Sequence, residues 1–163
     1  MHYIRFSLLV TMAFVLGACT TILKPDFGLR QGSLSPCPPK RDCVSTQSTD
    51  AYHHIDPIIY RSNRSQARID LLKAIYQVGE ARVVSNHSSY LRVEYPTENR
   101  NRQSSENFYQ PDSAVDDVEF YFLPGSKRIE MRSIARLGLF EVGANRARLE
   151  KIRGLFYAIQ SNR

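Results

Sequence analysis

Four arginines, an asparagine and two glycines crowd one stretch of the chain: Arg132-Ser133-Ile134-Ala135-Arg136-Leu137-Gly138, then Glu141, Gly143 and Asn145-Arg146-Ala147-Arg148-Leu149-Glu150. The stretch falls where a strand pattern gives way to a helix pattern. Guanidinium forks beside the free N–H groups of a helix N-terminus form an anion site for phosphate or carboxylate. Arg132, Ser133, Arg136, Asn145, Arg146 and Arg148 are therefore the candidate ligand-binding residues. Asp116, Asp117 and Glu119 stand just upstream and allow two other readings. In one, the acids pair with the arginines as a structural network, Arg132 facing Glu119 across strands and Arg146 lying four residues from Glu150 on a helix. In the other, Asp116, Asp117 or a nearby histidine is the general base of a hydrolase, and the arginines steady a developing anion. A non-catalytic binding module is the primary expectation and the hydrolase is the alternative.

Cys37 and Cys43 form a second constellation. Between them, Pro38-Pro39-Lys40-Arg41-Asp42 is turn-prone and can bring two cysteines within disulfide reach. Two alternatives draw on the same residues: a reactive Cys43 thiol served by His53 or His54, and a metal site. Neither meets a recognised spacing for zinc ligands or for a Cys-His pair. The chain has no phosphate-cradling Walker loop, no dinucleotide glycine fingerprint, no Gly-x-Ser-x-Gly elbow and no His-Glu-x-x-His. No metal or cofactor is expected.

The elements that must position these groups follow from hydrophobic spacing. Asn63 or Ser65 can cap a helix running to Gln77, with Ile69, Leu72, Ile75 and Tyr76 at helical spacing and Gly79 as its stop. Period-two alternation marks strands at Ala81–Ser85, Tyr90–Tyr95, Val115–Leu123 and Lys127–Ala135. The turn Pro124-Gly125-Ser126 sets a register in which Phe122 faces Ile129, Phe120 faces Met131 and Glu119 faces Arg132. Val118, Phe120, Phe122, Ile129 and Met131 then share the core side. Asp117, Glu119, Glu130 and Arg132 share the other, expected to be open to water or a ligand. A last helix, from about Asn145 to Ile159, carries Leu149, Ile152, Leu155, Phe156 and Ile159 as its buried stripe. The order predicts an α+β domain: an antiparallel sheet of about four strands with two helices packed on one face.

The N-terminus predicts an address. A positive start with Arg5, an apolar run Phe6–Leu16 too short to span a bilayer, and Leu16-Gly17-Ala18-Cys19 together resemble the signal and lipobox of bacterial lipoproteins. The resemblance implies removal of residues 1–18 and acylation of Cys19, a lipid anchor that makes the membrane a partner. Thr20 follows the cysteine where an aspartate would signal inner-membrane retention, so the expected place is the outer membrane, facing the periplasm. Export favours a disulfide between the remaining two cysteines and argues against nucleic acid as a partner. Losing the signal lowers the net charge from +6 to +5, which suits an anionic small molecule or lipid. Residues 19–50 read as a tether and an irregular pinned segment. Residues 51–163 read as one domain with a mobile polar loop at about 96–112.

Three blocks resemble one known family: Gly32…Leu34-Ser35-Pro36-Cys37-Pro38 with Cys43-Val44-Ser45-Thr46-Gln47; Asp116-Asp117-Val118-Glu119-Phe120; and the run from Arg132 to Arg148. The family is the bacterial and plastid one called domain of unknown function 1499. Ala135 and Glu141 depart from its pattern, where the family looks to have serine and aspartate. The resemblance implies a shared fold and a shared Cys-Ser-Gln, Asp-Asp and Asn-Arg set, and it implies no activity.

Overall fold

The computed structural model describes residues 26–39, 42–96, 115–136 and 143–163. The signal segment 1–18, Cys19 and all but Pro96 of the polar loop expected at about 96–112 lie outside the described residues. In chain order the elements are β1 (Leu29–Arg30), β2 (Ser33–Leu34), β3 (Cys43–Ser45), β4 (Ile58–Ile59), α1 (Arg64–Val78), β5 (Arg82–Asn86), β6 (Tyr90–Pro96), β7 (Val115–Phe122), β8 (Arg128–Ala135) and α2 (Ala144–Ser161).

The molecule is α+β, and its pairings within both sheets are antiparallel. The main sheet has six strands in the order β3-β8-β7-β6-β5, with β4 also paired to β8, rather than about four. β3 covers Cys43↔Ile134 to Ser45↔Arg132 and β4 covers Ile58↔Ile129, so the two lie end to end along one edge of β8. Strands of three and two residues are too short to show alternation, so neither is visible as a period-two pattern. β3 also lies within the segment expected to be irregular. The central register has Glu119 opposite Arg132, Phe120 opposite Met131 and Phe122 opposite Ile129.

One face of the sheet carries the core. Leu91, Val93, Val118, Phe120, Phe122, Ile129 and Met131 pack against Ala67, Leu71, Ala74 and Ile75 of α1 and against Leu149, Ile152 and Phe156 of α2. Each fully buried Leu, Ile or Phe side chain contributes about 1.5–3 kcal/mol. Asn63 caps α1 by accepting a hydrogen bond from Gln66 N at 2.9 Å. Helical spacing alone suggested Ile69 and Tyr76 for the buried stripe of α1, but both are exposed. The alanines Ala67 and Ala74 face inward instead, since small side chains let the helix settle close to the sheet and to α2.

The opposite face of the sheet was expected to be open, and it is covered. Residues 26–38 cross it, including the β1–β2 hairpin, with Leu34 packed on Tyr90, Tyr121 and Leu123. Asp117, Glu119, Glu130 and Arg132 are consequently buried. Alternation gives the polar side of a strand, but it carries no information about a short, irregular segment that later lies over that side.

Candidate functional site

The motif residues reach three separate places. On the covered face, Arg132 Nη1 donates to Glu119 Oε2 at 2.6 Å. Glu119 Oε1 also accepts from the Tyr90 hydroxyl at 2.6 Å and from Gly28 N at 2.7 Å. Arg132 donates to the carbonyl oxygens of Asp26 at 3.1 Å and Pro36 at 3.4 Å, which fastens the covering segment to β8. One step along the sheet, Arg136 clamps Asp117 through Nε at 2.6 Å and Nη2 at 3.0 Å and also pairs with Glu94. Arg92 adds a bond to Asp117 at 3.1 Å, and Arg82 closes on Glu94. The Phe27 ring lies 4.5 Å from the Arg92 guanidinium and 5.9 Å from that of Arg136, within cation–π range.

Burial and pairing pull these groups in opposite directions. Burial pushes the Asp117 carboxyl above its ordinary value, against the opposing pull of Arg136 and Arg92. Burial also acts on Glu94, but Arg136 and Arg82 outweigh it and hold that carboxyl below the usual range. Asp117 in turn holds the Arg136 guanidinium more firmly protonated. Burial first, and the Glu119 carboxylate second, push the Tyr90 hydroxyl up. The layer is a set of desolvated ion pairs, in which Arg132 Nε alone of that guanidinium's nitrogens is buried with no hydrogen-bond partner among the described residues.

Ser133, Asn145, Arg148 and Asp116 meet on the helix side of the sheet. Arg148 Nη2 donates to Asp116 Oδ2 at 2.6 Å, and Nη1 donates to Asn145 Oδ1 at 2.9 Å and Ser133 Oγ at 3.4 Å. Ser133 Oγ also donates to Asn145 Oδ1. The Arg148 guanidinium lies 5.1 Å from the Tyr95 ring. Asn145 Nδ2 donates to the Asp42 carbonyl at 2.8 Å, tying the start of α2 to the turn before β3. The second oxygen of Asp116, Oδ1, is buried with no hydrogen-bond partner among the described residues.

Arg146 stands apart. Its two terminal nitrogens donate to the carbonyl oxygens of His54 and Tyr52, each at 2.7 Å. Glu150, four residues on, pairs with Arg153 instead, so the anticipated Arg146–Glu150 pair does not form. Arg146 sits in the first turn of α2, whose N-cap Gly143, at φ 102°, offers no side-chain cap. Gly138 and Glu141 lie outside the described residues.

Cys37 and Cys43 are joined in a disulfide with Cα atoms 5.6 Å apart, which removes the free Cys43 thiol that a Cys-His pair requires. His53 instead bonds Asp50 through Nδ1 at 2.8 Å. Among the described residues no three His, Cys, Asp or Glu side chains gather as a metal site. Clefts lined by described residues include two away from the motif. One, of about 530 Å³, lies beside Ile59, Arg61, Tyr157 and Arg163. The other, of about 430 Å³, lies beside Tyr76, Arg82, Glu94 and Val115. Neither is lined by Asp116, Asp117 or Glu119.

Sequence reasoning missed Tyr90, Arg92, Glu94, Tyr95 and Phe27. Arg92 and Glu94 alternate along β6 and face Glu119 and Asp117 in register, so carrying the strand register one strand further would have found them. Phe27 carried no such signal, since nothing in the sequence places the chain near it over the sheet.

The family profile described as protein of unknown function (DUF1499) matches residues 33–156. No curated protein and no solved structure matches the chain.

Proposed function

We propose, for a chain that belongs to the DUF1499 family, a lipid-anchored protein of the bacterial envelope that binds an anionic ligand without turning it over. The lipobox Leu16-Gly17-Ala18-Cys19 supports the anchor, with the outer membrane, facing the periplasm, as its place. The Cys37–Cys43 bridge supports export, since such bridges persist in oxidising compartments. No helix among the described residues is long and apolar enough to cross a membrane.

One observation carries the binding reading. Of the motif's four arginines, Arg132, Arg136 and Arg148 are neutralised by carboxylates, whereas Arg146 has only carbonyl partners among the described residues. Two neutral acceptors orient its fork and leave its charge uncompensated, in the first turn of a helix whose N–H groups favour anions. The motif then divides its labour: three arginines hold the fold together and the fourth meets the ligand.

A hydrolase is supported by one atom, the unpartnered Asp116 Oδ1. A general base needs access to the proton it takes, and Asp117 and Glu119 are buried under guanidinium groups. Titration of the mature protein with inorganic phosphate and with a muropeptide tests binding. Arg146→Ala is expected to weaken it at least tenfold, and Arg146→Lys to restore part, because lysine keeps the charge and loses the fork. No binding by the parent protein would remove the reading. Measurable ester or phosphoester hydrolysis, lost in Asp116→Asn, would install the alternative.

A further inference from the structure

The larger cleft belongs to none of the groups described so far. At its rim Ile59 is 51% exposed and Tyr157 is 40% exposed, and the Tyr157 hydroxyl accepts a hydrogen bond from Ile59 N at 3.0 Å. This one hydrogen bond ties the apolar pair together across the cleft's rim. Arg61 and Arg163 line the same cleft, and Lys127 Nζ donates to the carbonyl oxygen of Ser62, another lining residue, at 2.7 Å. Arg163 is paired with buried Asp70. Arg61 and Lys127 have no carboxylate partner among the described residues.

An aliphatic and an aromatic side chain beside two cations without a carboxylate partner fit the interfacial zone of an anionic bilayer. There the apolar tips enter the headgroup region and the cations meet phosphates. The chain's own tether makes such contact reachable. Six residues, 20–25, separate the lipobox cysteine from the described chain, and the span from Cys19 to Asp26 reaches at most about 25 Å. Asp26 is fastened to Arg132, which stands five positions from Lys127, about 16 Å at the rise of a strand.

We infer that the Ile59–Tyr157 cleft, with Arg61 and Lys127, is a docking face for the anionic phospholipid surface to which the chain is tethered. The inference rests on the membrane address proposed above and assigns that membrane a surface distinct from Arg146. Docking there fixes the domain's orientation and points the opposite end of the sheet away from the leaflet.

The test uses the mature chain, residues 19–163, carrying Cys19→Ala, so that neither the apolar signal nor acyl chains contribute, with phosphatidylcholine vesicles with and without phosphatidylglycerol. Co-sedimentation is expected only with phosphatidylglycerol. Each cation near such a surface contributes about fivefold in affinity, so Arg61→Glu with Lys127→Glu is expected to weaken binding at least tenfold. Ile59→Ser is expected to weaken it further, while Lys73→Glu with Lys151→Glu, equal in charge change but placed on the helix surfaces, retains most of it. Hydrogen exchange on the Cys19→Ala chain needs no further substitution and is expected to show vesicle-dependent protection at residues 58–62 and 157–161. Equal binding to neutral vesicles, undiminished binding of the Arg61→Glu and Lys127→Glu protein, or protection centred on residues 144–148 would overturn the inference. Absence of acyl chains on Cys19 in cells would remove the anchor and leave the vesicle result standing, so the two failures are distinguishable.

Discussion

Glu119 accepts hydrogen bonds from Arg132, Tyr90 and Gly28 while fully buried, so three donors replace the water that burial strips from its carboxylate charge. Removing the arginine alone leaves that charge uncompensated, which costs about 3–5 kcal/mol for a buried pair. Arg132→Met is therefore expected to lower the urea unfolding free energy by that order. Adding Glu119→Gln should recover much of the loss, because the amide oxygen still accepts from Tyr90 and Gly28 and carries no charge. A double-mutant cycle reads the difference; strictly additive losses would show that the two side chains act independently. Glu94 makes the layer sensitive to acid. Its carboxyl is held below the ordinary 4.5 in the folded protein, so its pairing stabilises the fold above that value and is lost as pH falls through the lower folded value. Asp117, raised by burial, acts with the opposite sign and favours the fold as it takes up a proton. Glu94→Gln is accordingly expected to be less stable than the parent at pH 7, with the gap narrowing below about pH 4 in thermal melts. A constant gap from pH 7 to pH 3 would mean that Glu94 does not titrate with folding.

The strands and helices show what patterning can and cannot carry. The β7–β8 register was legible because alternating Val118, Phe120 and Phe122 meet Ile129 and Met131 around a short turn, and a slip of one residue would bury the charges against the helices. The arginine motif was legible as a group of residue types, yet its division was not: Arg132, and Arg136 one residue past the end of β8, reach acids on the side of the sheet opposite to Ser133, a consequence of the strand's period of two. The hairpin of β1 and β2 escaped notice since each strand is two residues long and its hold on the sheet comes from tertiary bonds. That hold includes the disulfide, which joins the end of the covering segment to β3. A cross-link between residues six apart restricts the unfolded chain modestly, by roughly 2–3 kcal/mol in the loop-closure treatment. Cys37→Ser with Cys43→Ser is expected to lower stability by about that much. It should also speed amide exchange at Gly28 and Leu34 more than at Val118 or Phe120. Equal acceleration across the sheet would show that the bridge serves the whole fold and gives the cover no local support.

At the scale of the whole molecule the basic residues form two populations with different physics. Arg92, Arg132, Arg136 and Arg148 are paired with buried carboxylates, where mobile ions do not penetrate. Lys127 and Arg146 donate to carbonyl oxygens, which leave their charge uncompensated, and Arg61 lines the cleft with no carboxylate partner among the described residues. Raising neutral salt from 0.1 M to 1 M shortens the screening length from about 10 Å to about 3 Å, which weakens exposed electrostatics and barely touches desolvated pairs. A single protein should therefore show two salt responses. Its urea unfolding midpoint is expected to stay nearly constant across that range, and its binding to phosphatidylglycerol vesicles is expected to fall more than tenfold. A midpoint that dropped steeply with salt would mean that the Glu119–Arg132 and Asp117–Arg136 layer is wet and the cover over it open in solution. Vesicle binding indifferent to salt would mean that Ile59 and Tyr157 act through apolar contact alone, with the cations around them as bystanders.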